Sequence, residues 1–370
     1  MSENKNKFFS QTIISWYHQN KRDLPWRDTQ NPYKIWLSEI ILQQTRVVQG
    51  MPYYEKFIEN FPTVQQLAAA DEQTVLRFWQ GLGYYSRARN LHAAAKYISN
   101  DLNGIFPKTY SEIKKLKGVG DYTAAAISSF AFDEVQAVVD GNVYRVLSRF
   151  FGIEKDITET KNQKEFRELA QNLIDATQPA IYNQAIMEFG ALQCVPKSPN
   201  CQVCPLQKKC TAFEKKLIEK LPIKGKKTKV TDRFMHYFVF KKREGNKEKV
   251  LLRKRGEGDI WQGLYDFFLI EFQHKDKKGF EPLKELEQYL EIENTKLTHE
   301  SIIFKHQLSH RTLYAKFYTL EIMSNEKQFL YWQTLKAKYD LEEIEWQNLD
   351  KIPKPVLISK YLDYLEQHLF

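Results

Sequence analysis

The four cysteines of this 370-residue chain lie close together, which limits what the surrounding region can form. They follow the pattern C-x6-C-x2-C-x5-C, at Cys194, Cys201, Cys204 and Cys210. Cysteines scattered by chance rarely gather so closely, so we expect one shared ligand. Two disulfides would be unexpected in a reducing cytosol. A [4Fe–4S] cluster needs four thiolates and tolerates uneven spacing, whereas structural zinc sites usually have two short cysteine pairs. Zinc remains the alternative.

The net charge of +9 favours a polyanion as partner, although a lysine-rich cytosolic protein would carry the same charge. Residues 1–10 lack the apolar core and cleavage site of a signal peptide. No stretch approaches the roughly 18 apolar residues of a membrane helix. We therefore expect a cytoplasmic protein that does not enter membranes.

The organisation of the chain changes near residue 223. Residues 8 to about 218 predict successive helices, broken at Phe61-Pro62, Gly81-Leu82-Gly83 and Phe106-Pro107. Residues 223–233 contain four lysines within six positions and predict a basic linker. The aromatic and β-branched runs beyond it predict strands at 234–240, 250–253, 265–270 and 312–320, with helices near 283–290 and 355–370. The prediction is a mainly helical region at 1–222 and an α+β domain at 234–370.

The segment Leu116–Ala124 places Gly118 and Gly120 between a helix end and an alanine-rich helix. Glycines permit a tight turn, and the amides of the next helix can face a phosphate oxygen. An ordinary glycine helix cap is the simpler interpretation of two isolated glycines. Lys114, Lys115 and Lys117 flank the segment and favour a DNA-binding hairpin.

Two carboxylates stand out in the helical region. The helix neighbours of Glu39 are largely apolar, and a desolvated carboxyl favours the protonated form that a general acid needs. A glutamate beside a helix bend, reaching water, is the alternative. Asp140 precedes a helix predicted to run to Phe151, so local rules alone would make Asp140 or Asn142 its cap.

These segments carry a family resemblance. S-E-I-x-L-Q-Q-T around Glu39, V-D-G-N-V-Y-R-V around Asp140, the hairpin and the cysteine run have the order and spacing of the endonuclease III and helix-hairpin-helix glycosylases. Residues 8–220 are similar to this superfamily, and Q-Q-T with Tyr122 resembles its adenine-excising MutY branch. The resemblance implies two helical subdomains and a structural [4Fe–4S] cluster on the four cysteines.

The resemblance also implies a mechanism and roles for particular residues. Glu39 would protonate adenine and Asp140 would stabilise the positive sugar, with Tyr122 and Asn142 helping to place the sugar, carboxylate and water. Relatives that also nick the strand have a lysine at position 122, so Tyr122 implies a monofunctional enzyme. The residues implied to bind DNA or adenine are Arg22, Trp26, Arg27, Gln44, Thr45, Leu82, Tyr84, Arg87, Gly118, Gly120 and Gln184.

Within that set, Gln44 and Tyr84 match residues that wedge into the duplex, although Tyr84 could equally pack in a core. Thr45 and Leu82 match residues that touch the opposite base. Arg22, Trp26 and Arg27 match a stretch that closes over adenine, and Gln184 would contact the edge of the base.

The C-terminal domain resembles the Nudix-like module that senses 8-oxoguanine in MutY-type enzymes. His306–Arg311 is similar to the loop that contacts the oxidised base, which implies roles for Ser309 and His310, although Leu308 replaces a phenylalanine. A Ser-His pair alone is usually a surface turn. The complete Nudix hydrolase motif is absent from the sequence, so we expect no magnesium-dependent nucleotide hydrolysis.

The predicted function is removal of adenine paired with 8-oxoguanine or guanine in double-stranded DNA, by a monomer carrying a [4Fe–4S] cluster. The nearest alternative is a lyase similar to endonuclease III. A non-catalytic DNA-binding protein and a Nudix hydrolase are more distant alternatives.

Overall fold

The computed structural model describes residues 3–225, 230–272, 282–287, 295–308, 310–322 and 326–369. The chain divides into two compact units. The first comprises residues 1–69 and 90–227, and the second comprises residues 70–89 and 228–370. None of the helices in these described ranges has the length and apolar character required to span a bilayer.

Helices account for most of residues 3–214. They are α1 (Glu3–Asn20), α2 (Pro32–Leu42), α3 (Val47–Asn60), α4 (Val64–Ala69), α5 (Glu72–Trp79), α6 (Ser86–Asn100), α7 (Tyr110–Ile113), α8 (Asp121–Phe132), α9 (Gly141–Phe151), α10 (Thr160–Leu173), α11 (Pro179–Leu192) and α12 (Thr211–Glu214). The second unit includes α5 and the start of α6, and the other helices belong to the first. The predicted succession of helices is confirmed.

Local sequence sets where several of these helices begin. Asn31 accepts hydrogen bonds from the amides of Tyr33 and Lys34 at the start of α2, which also has a proline in its first turn. Asp140 caps α9 in the same way, through the amides of Asn142 and Val143. Because these caps satisfy amides that lack helical partners, they fix the start of both helices that carry the candidate carboxylates.

The core of the first unit lies where α1, α9 and α11 pack together. Phe9 on α1 is fully buried, with its ring 4.8 Å from that of Phe150 on α9. Trp16 packs edge-on against Phe189 of α11 at 5.0 Å. These contacts join residues far apart in sequence and hold α9 and α11 in fixed positions.

The second unit is built on a sheet that has eight strands in the described residues. These strands are β1 (Thr231–Glu244), β2 (Lys247–Lys254), β3 (Tyr265–Asp266), β4 (Phe268–Phe272), β5 (Thr295–Glu300), β6 (Phe304–Gln307), β7 (Arg311–Ile322) and β8 (Leu341–Glu345). β1 and β7 pair in parallel, from Thr231 opposite Arg311 to Lys242 opposite Ile322. The other strand pairs are antiparallel.

Helices accompany this sheet: α13 (Pro282–Glu287), α14 (Glu326–Tyr339) and α15 (Val356–Leu369). Phe317 of β7 stacks on Tyr361 of α15, with ring centroids 4.0 Å apart, and Trp332 of α14 is fully buried. The predicted α+β character is confirmed. The sequence analysis had no prediction for α14 or for β5, β6 and β8.

Candidate active site

Glu39 lies on α2, within a buried run of the helix, and its side chain is 7% exposed. Burial raises the pKa of Glu39 to about 7. A hydrogen bond from Tyr122 lowers this pKa, and the nearby charge of Asp140 raises it. The Glu39 carboxyl is therefore poised to hold and release a proton near neutral pH.

Asp140 is half-buried and precedes the first residue of α9. Its Oδ1 accepts hydrogen bonds from the amides of Asn142 and Val143 at 2.9 and 2.8 Å, and its Oδ2 accepts one from Asn142 Nδ2 at 2.8 Å. Burial raises the pKa of Asp140, but these three hydrogen bonds lower it. Burial is the larger influence, so the pKa of Asp140 stands above its ordinary value, and the hydrogen bonds limit the rise.

A cavity of about 870 Å³ brings the two carboxyls together within the first unit. Tyr122 interacts with both carboxyls. Burial and then the charges of Glu39 and Asp140 raise the pKa of Tyr122 well above its ordinary value. Its hydroxyl also lies 3.8 Å from Met187 Sδ. The predicted site residues that line the cavity are Arg22, Trp26, Arg27, Glu39, Gln44, Thr45, Tyr122, Asp140, Asn142 and Gln184.

One wall of the cavity is held by a buried ion-pair cluster centred on Glu188 of α11. Arg22 and Arg27 each donate two side-chain hydrogen bonds to the Glu188 carboxylate, at 2.6–2.9 Å. Burial alone would raise the pKa of Glu188, but these donors lower it to about 2. Trp26, between the two arginines in sequence, packs edge-on against Tyr54 at 5.1 Å. The segment that forms this wall is therefore fixed by side chains from α11 and α3.

A second set of hydrogen bonds joins the cavity to the cysteine loop. Asn142 Oδ1 accepts from Arg145 Nη2 at 2.8 Å, and Arg145 Nε donates to the carbonyl of Cys194 at 2.7 Å. One helical turn later, Arg149 donates to the carbonyls of Val195 and Pro196 at 2.7 and 2.8 Å. Successive turns of α9 thus hold the start of this loop.

The four cysteines converge after α11. Cys194 follows the end of α11, Cys201 and Cys204 bound a 3-10 turn, and Cys210 precedes α12. Burial and, to a smaller extent, the other three thiols raise the pKa of Cys204 to about 12, which indicates that the thiols lie near one another. Among the described residues, no three His, Cys, Asp or Glu side chains close around a point that would hold one metal ion. The loop brings the predicted ligands together.

The hairpin between α7 and α8 exposes both glycines. Gly118 has a φ of +80°, and a Cβ there would lie 2.7 Å from the Cβ of Asn90. Gly120 is the residue before α8 and has ordinary extended backbone, and a Cβ there would meet no atom within 4 Å. No side chain caps α8, so the structure gives its first amides no side-chain acceptor at the N-cap.

Gln44 and Tyr84, the two predicted wedge residues, share an unusual backbone conformation. Their φ values are +56° and +49°, in the left-handed region that residues other than glycine rarely adopt. Both side chains are exposed, and that of Tyr84 is 43% exposed. Such conformations cost free energy and often occur at functional sites.

Leu82 and Arg87, two further residues predicted to bind DNA, are buried in the structure. Leu82 is 6% exposed, and Arg87 is 9% exposed. Arg87 donates to the carbonyls of Leu82 and Gly83 at 3.3 and 3.2 Å, and its guanidinium lies over the ring of Trp79. Burial lowers the pKa of Arg87 to about 10. In this structure Arg87 therefore braces the turn that precedes Tyr84.

The predicted contacts to the oxidised base fall at the start of β7. His310 is exposed, and its carbonyl accepts a hydrogen bond from the amide of Thr231 at 3.1 Å. Ser309 lies outside the described residues, and its contact with the oxidised base stays a prediction.

Comparisons with known proteins agree with this arrangement. The HhH-GPD superfamily of base excision DNA repair proteins matches residues 37–172, and the NUDIX domain matches residues 236–364. The adenine DNA glycosylase of Buchnera aphidicola subsp. Schizaphis graminum is 34% identical, over 94% of this chain and 96% of its own length. That of subsp. Baizongia pistaciae is 37% identical, over 83% and 84%. The chain belongs to the adenine DNA glycosylase family.

The glycosylase also resembles a solved structure of a thermostable thymine-DNA glycosylase, with a TM-score of 0.53 and 32% identity. The match covers 57% of this chain and 98% of that one. The predicted family, fold class and enzyme class are confirmed, and the protein acts in base excision repair.

Three residues of the glycosylase site escaped the sequence analysis: Tyr17, Arg145 and Glu188. Glu188 follows Gln184 by four residues, so both lie on one face of α11, and this spacing could have suggested a shared role. Arg145 stands within the V-D-G-N-V-Y-R-V string but had been given no role. No local pattern singles out Tyr17, because its partner is 167 positions away in sequence.

Proposed function

We propose that the enzyme hydrolyses the N-glycosidic bond of adenine paired with 8-oxoguanine or guanine in duplex DNA, acting as a monomer. The observation that carries the proposal is the pairing of two unlike carboxyls in one cavity. Glu39 is buried with a pKa of about 7, whereas Asp140 accepts three hydrogen bonds. Such a pair supplies an acid and an anion at the same pH.

In the proposed reaction, adenine leaves the base stack and enters the cavity, at a cost of a few kcal/mol. Glu39 gives its proton to N7 of the ring. The bond between C1′ and N9 then breaks, its electron pair goes to the base, and adenine departs as a neutral molecule. The sugar is left with the positive charge, opposite the carboxylate of Asp140.

Asp140 stabilises this cation, either by charge alone or through a transient bond to C1′. Water then adds its oxygen to C1′, and its proton returns to a carboxylate of the site. The products are free adenine and an abasic sugar. Tyr122 lacks the amine needed to form an imine with that sugar, which supports a monofunctional enzyme without strand cleavage.

The cysteine loop fits a [4Fe–4S] cluster held by Cys194, Cys201, Cys204 and Cys210. Four thiolates suit a cubane, in which each cysteine binds a different iron, whereas structural zinc sites usually have two short cysteine pairs. The cluster would supply structural cross-linking of the loop. Arg145 and Arg149 then tie that loop to α9, the helix that begins at Asp140.

The proposed grip on DNA uses the hairpin before α8 and the two residues with left-handed backbone. The amides after Gly120, which have no side-chain cap, suit a backbone phosphate. The exposed side chains of Gln44 and Tyr84, on left-handed backbone, suit insertion into the duplex. Ser309 and His310 are the proposed readers of the oxidised base. The net charge of +9 predicts affinity that falls steeply as salt rises.

A base-release assay tests this proposal. Duplexes containing A opposite 8-oxoguanine, A opposite G, A opposite T, and T opposite G are incubated with excess enzyme, and free base is quantified. We expect release from the first two duplexes only. Thymine release would favour the activity named for the solved thymine-DNA glycosylase. Equal release from all three adenine duplexes would contradict the proposed preference for the opposing base. Trapping of a covalent DNA adduct by borohydride would contradict the proposal that an enzyme with Tyr122 is monofunctional.

A further inference from the structure

Tyr17 is a buried tyrosine of α1 that reaches the wall of the cavity. It is 4% exposed, and its hydroxyl donates a hydrogen bond to Oε1 of Gln184 at 2.5 Å. Hydrogen bonds between two oxygens span about 2.5–3.0 Å, whereas those from nitrogen to oxygen span about 2.7–3.2 Å. In the structure the carbonyl end of the Gln184 amide faces Tyr17, and the separation agrees with a bond between two oxygens.

The surroundings of Tyr17 favour this direction of donation. The guanidinium of Arg27 lies 5.7 Å from the centroid of the Tyr17 ring and has no acceptor to offer. The nearby Glu188 carboxylate is already engaged by Arg22 and Arg27. Within the described residues, Gln184 is the only side chain that accepts the Tyr17 hydroxyl proton.

The opposite end of the Gln184 amide remains available. Gln184 lines the same cavity as Glu39 and Asp140. In the described part of the chain its Nε2 has no hydrogen-bond partner, although Oε1 is bonded. The amide group, when free to rotate by half a turn, can present either a donor or an acceptor to a ligand. The bond to Tyr17 removes that freedom and leaves the donor.

We propose that Tyr17 is a positioning residue that fixes the Gln184 amide with its NH₂ toward the excised base, so that the enzyme reads adenine through a ring-nitrogen acceptor rather than through its 6-amino group. The inference rests on the proposed placement of adenine in this cavity. Adenine offers the acceptors N1, N3 and N7, whereas the 6-amino group is a donor that a fixed NH₂ cannot satisfy. An edge carrying a ring N–H, such as N1–H of guanine, would face donor against donor.

The test is a set of binding measurements with uncleavable duplexes, in which a 2′-fluorine on the target sugar disfavours the cationic transition state. The target base is adenine, 1-deazaadenine, 3-deazaadenine or purine without the 6-amino group; 7-deazaadenine is left out because N7 takes the proton of Glu39. Each duplex is titrated with the wild-type holoenzyme, Tyr17→Phe and Gln184→Ala. Tyr33→Phe is the matched control, because it also removes a buried hydroxyl, one bonded to the carbonyl of Phe61 at 2.6 Å and outside the cavity lining.

We expect one deaza substitution to weaken wild-type binding by about tenfold, the usual size of one lost hydrogen bond. The same deaza substitution should weaken binding by Tyr17→Phe and by Gln184→Ala less than about threefold. It should weaken binding by Tyr33→Phe as much as it weakens binding by the wild type. A penalty that is unchanged in Tyr17→Phe but lost in Gln184→Ala would overturn the role of Tyr17 alone. A penalty unchanged in both variants would overturn the placement of adenine as well. A Tyr17-dependent penalty for loss of the 6-amino group would show that Gln184 accepts, and would also overturn the inference.

Discussion

Asn142 donates a hydrogen bond from its Nδ2 to Oδ2 of Asp140 at 2.8 Å. The same amide accepts from Arg145 through its Oδ1, so its orientation is fixed from both ends. The Asn142 amide therefore cannot rotate without losing one of these bonds, and its NH₂ group stays directed at Asp140. This arrangement gives the carboxylate a defined position, and the hydrogen bond limits the rise in its pKa that burial causes.

Asn142→Ala should slow base release by about 10- to 100-fold and move the acidic limb of its pH profile to higher pH. The hydrogen bond from Asn142 lowers the pKa of Asp140, so removing the donor raises that pKa, and a higher pH is then needed to ionise Asp140. Single-turnover rates measured between pH 5 and 9 check both effects. Gln193→Ala, which removes an exposed amide bonded to the carbonyl of Asn200, is the control and should leave the profile unchanged.

Gly120→Ala should weaken duplex binding by roughly tenfold without lowering the melting temperature. A Cβ at position 120 enters open space at the start of α8, and the backbone there is accessible to alanine. Gly118→Ala provides the contrast. It combines a φ of +80° with a Cβ 2.7 Å from that of Asn90, so it should destabilise the fold by about 1–3 kcal/mol. Unaltered affinity in a folded Gly120→Ala protein would argue against a phosphate at this helix end.

Glu188→Gln should reduce the free energy of unfolding by about 3 kcal/mol at pH 7, because it leaves Arg22 and Arg27 without their buried carboxylate. Since the folded-state pKa of Glu188 is about 2, below its ordinary value, the wild-type advantage should be present above about pH 4.5 and disappear as pH falls toward 2. Denaturant unfolding at several pH values measures this. Glu168→Gln, which breaks an exposed pair with Lys164, should change stability by less than about 0.5 kcal/mol.

Purified protein should contain four irons and four acid-labile sulfides per chain. Cys204→Ala should lose them and unfold at a lower temperature, because the loop after α11 would no longer be cross-linked. Elemental analysis of both proteins provides the measurement. One zinc per chain and no iron would identify a different metal site on the same cysteines.

Local rules predicted much of what positions the site. The string around Asp140 predicts both a helix cap and a reactive carboxylate, and the structure has Asp140 capping α9. The apolar neighbours of Glu39 predict its burial, which the structure confirms. Both features depend on residues within four positions in sequence, which is the range over which periodicity and capping carry information.

Features that depend on distant residues were missed or placed differently. The bond between Tyr17 and Gln184 joins positions 167 residues apart, and the Glu188 cluster joins α11 to the segment after α1. Leu82 and Arg87 are buried in the structure, and their contact with DNA stays a prediction. A motif alone does not specify which side of a turn packs inward. Helix α14 was missed, since its sequence has little separation of apolar and polar faces.

The pH dependence of adenine release by wild type and Glu39→Gln tests the central claim most directly. Because Glu39 must be protonated to act as the acid, and burial raises its pKa to about 7, the wild-type single-turnover rate should fall as pH rises through about 7. Glu39→Gln should bind the duplex normally and be at least about 100-fold slower, without that decline. Release of adenine by Glu39→Gln at the wild-type rate, with the same decline above neutral pH, would contradict the account.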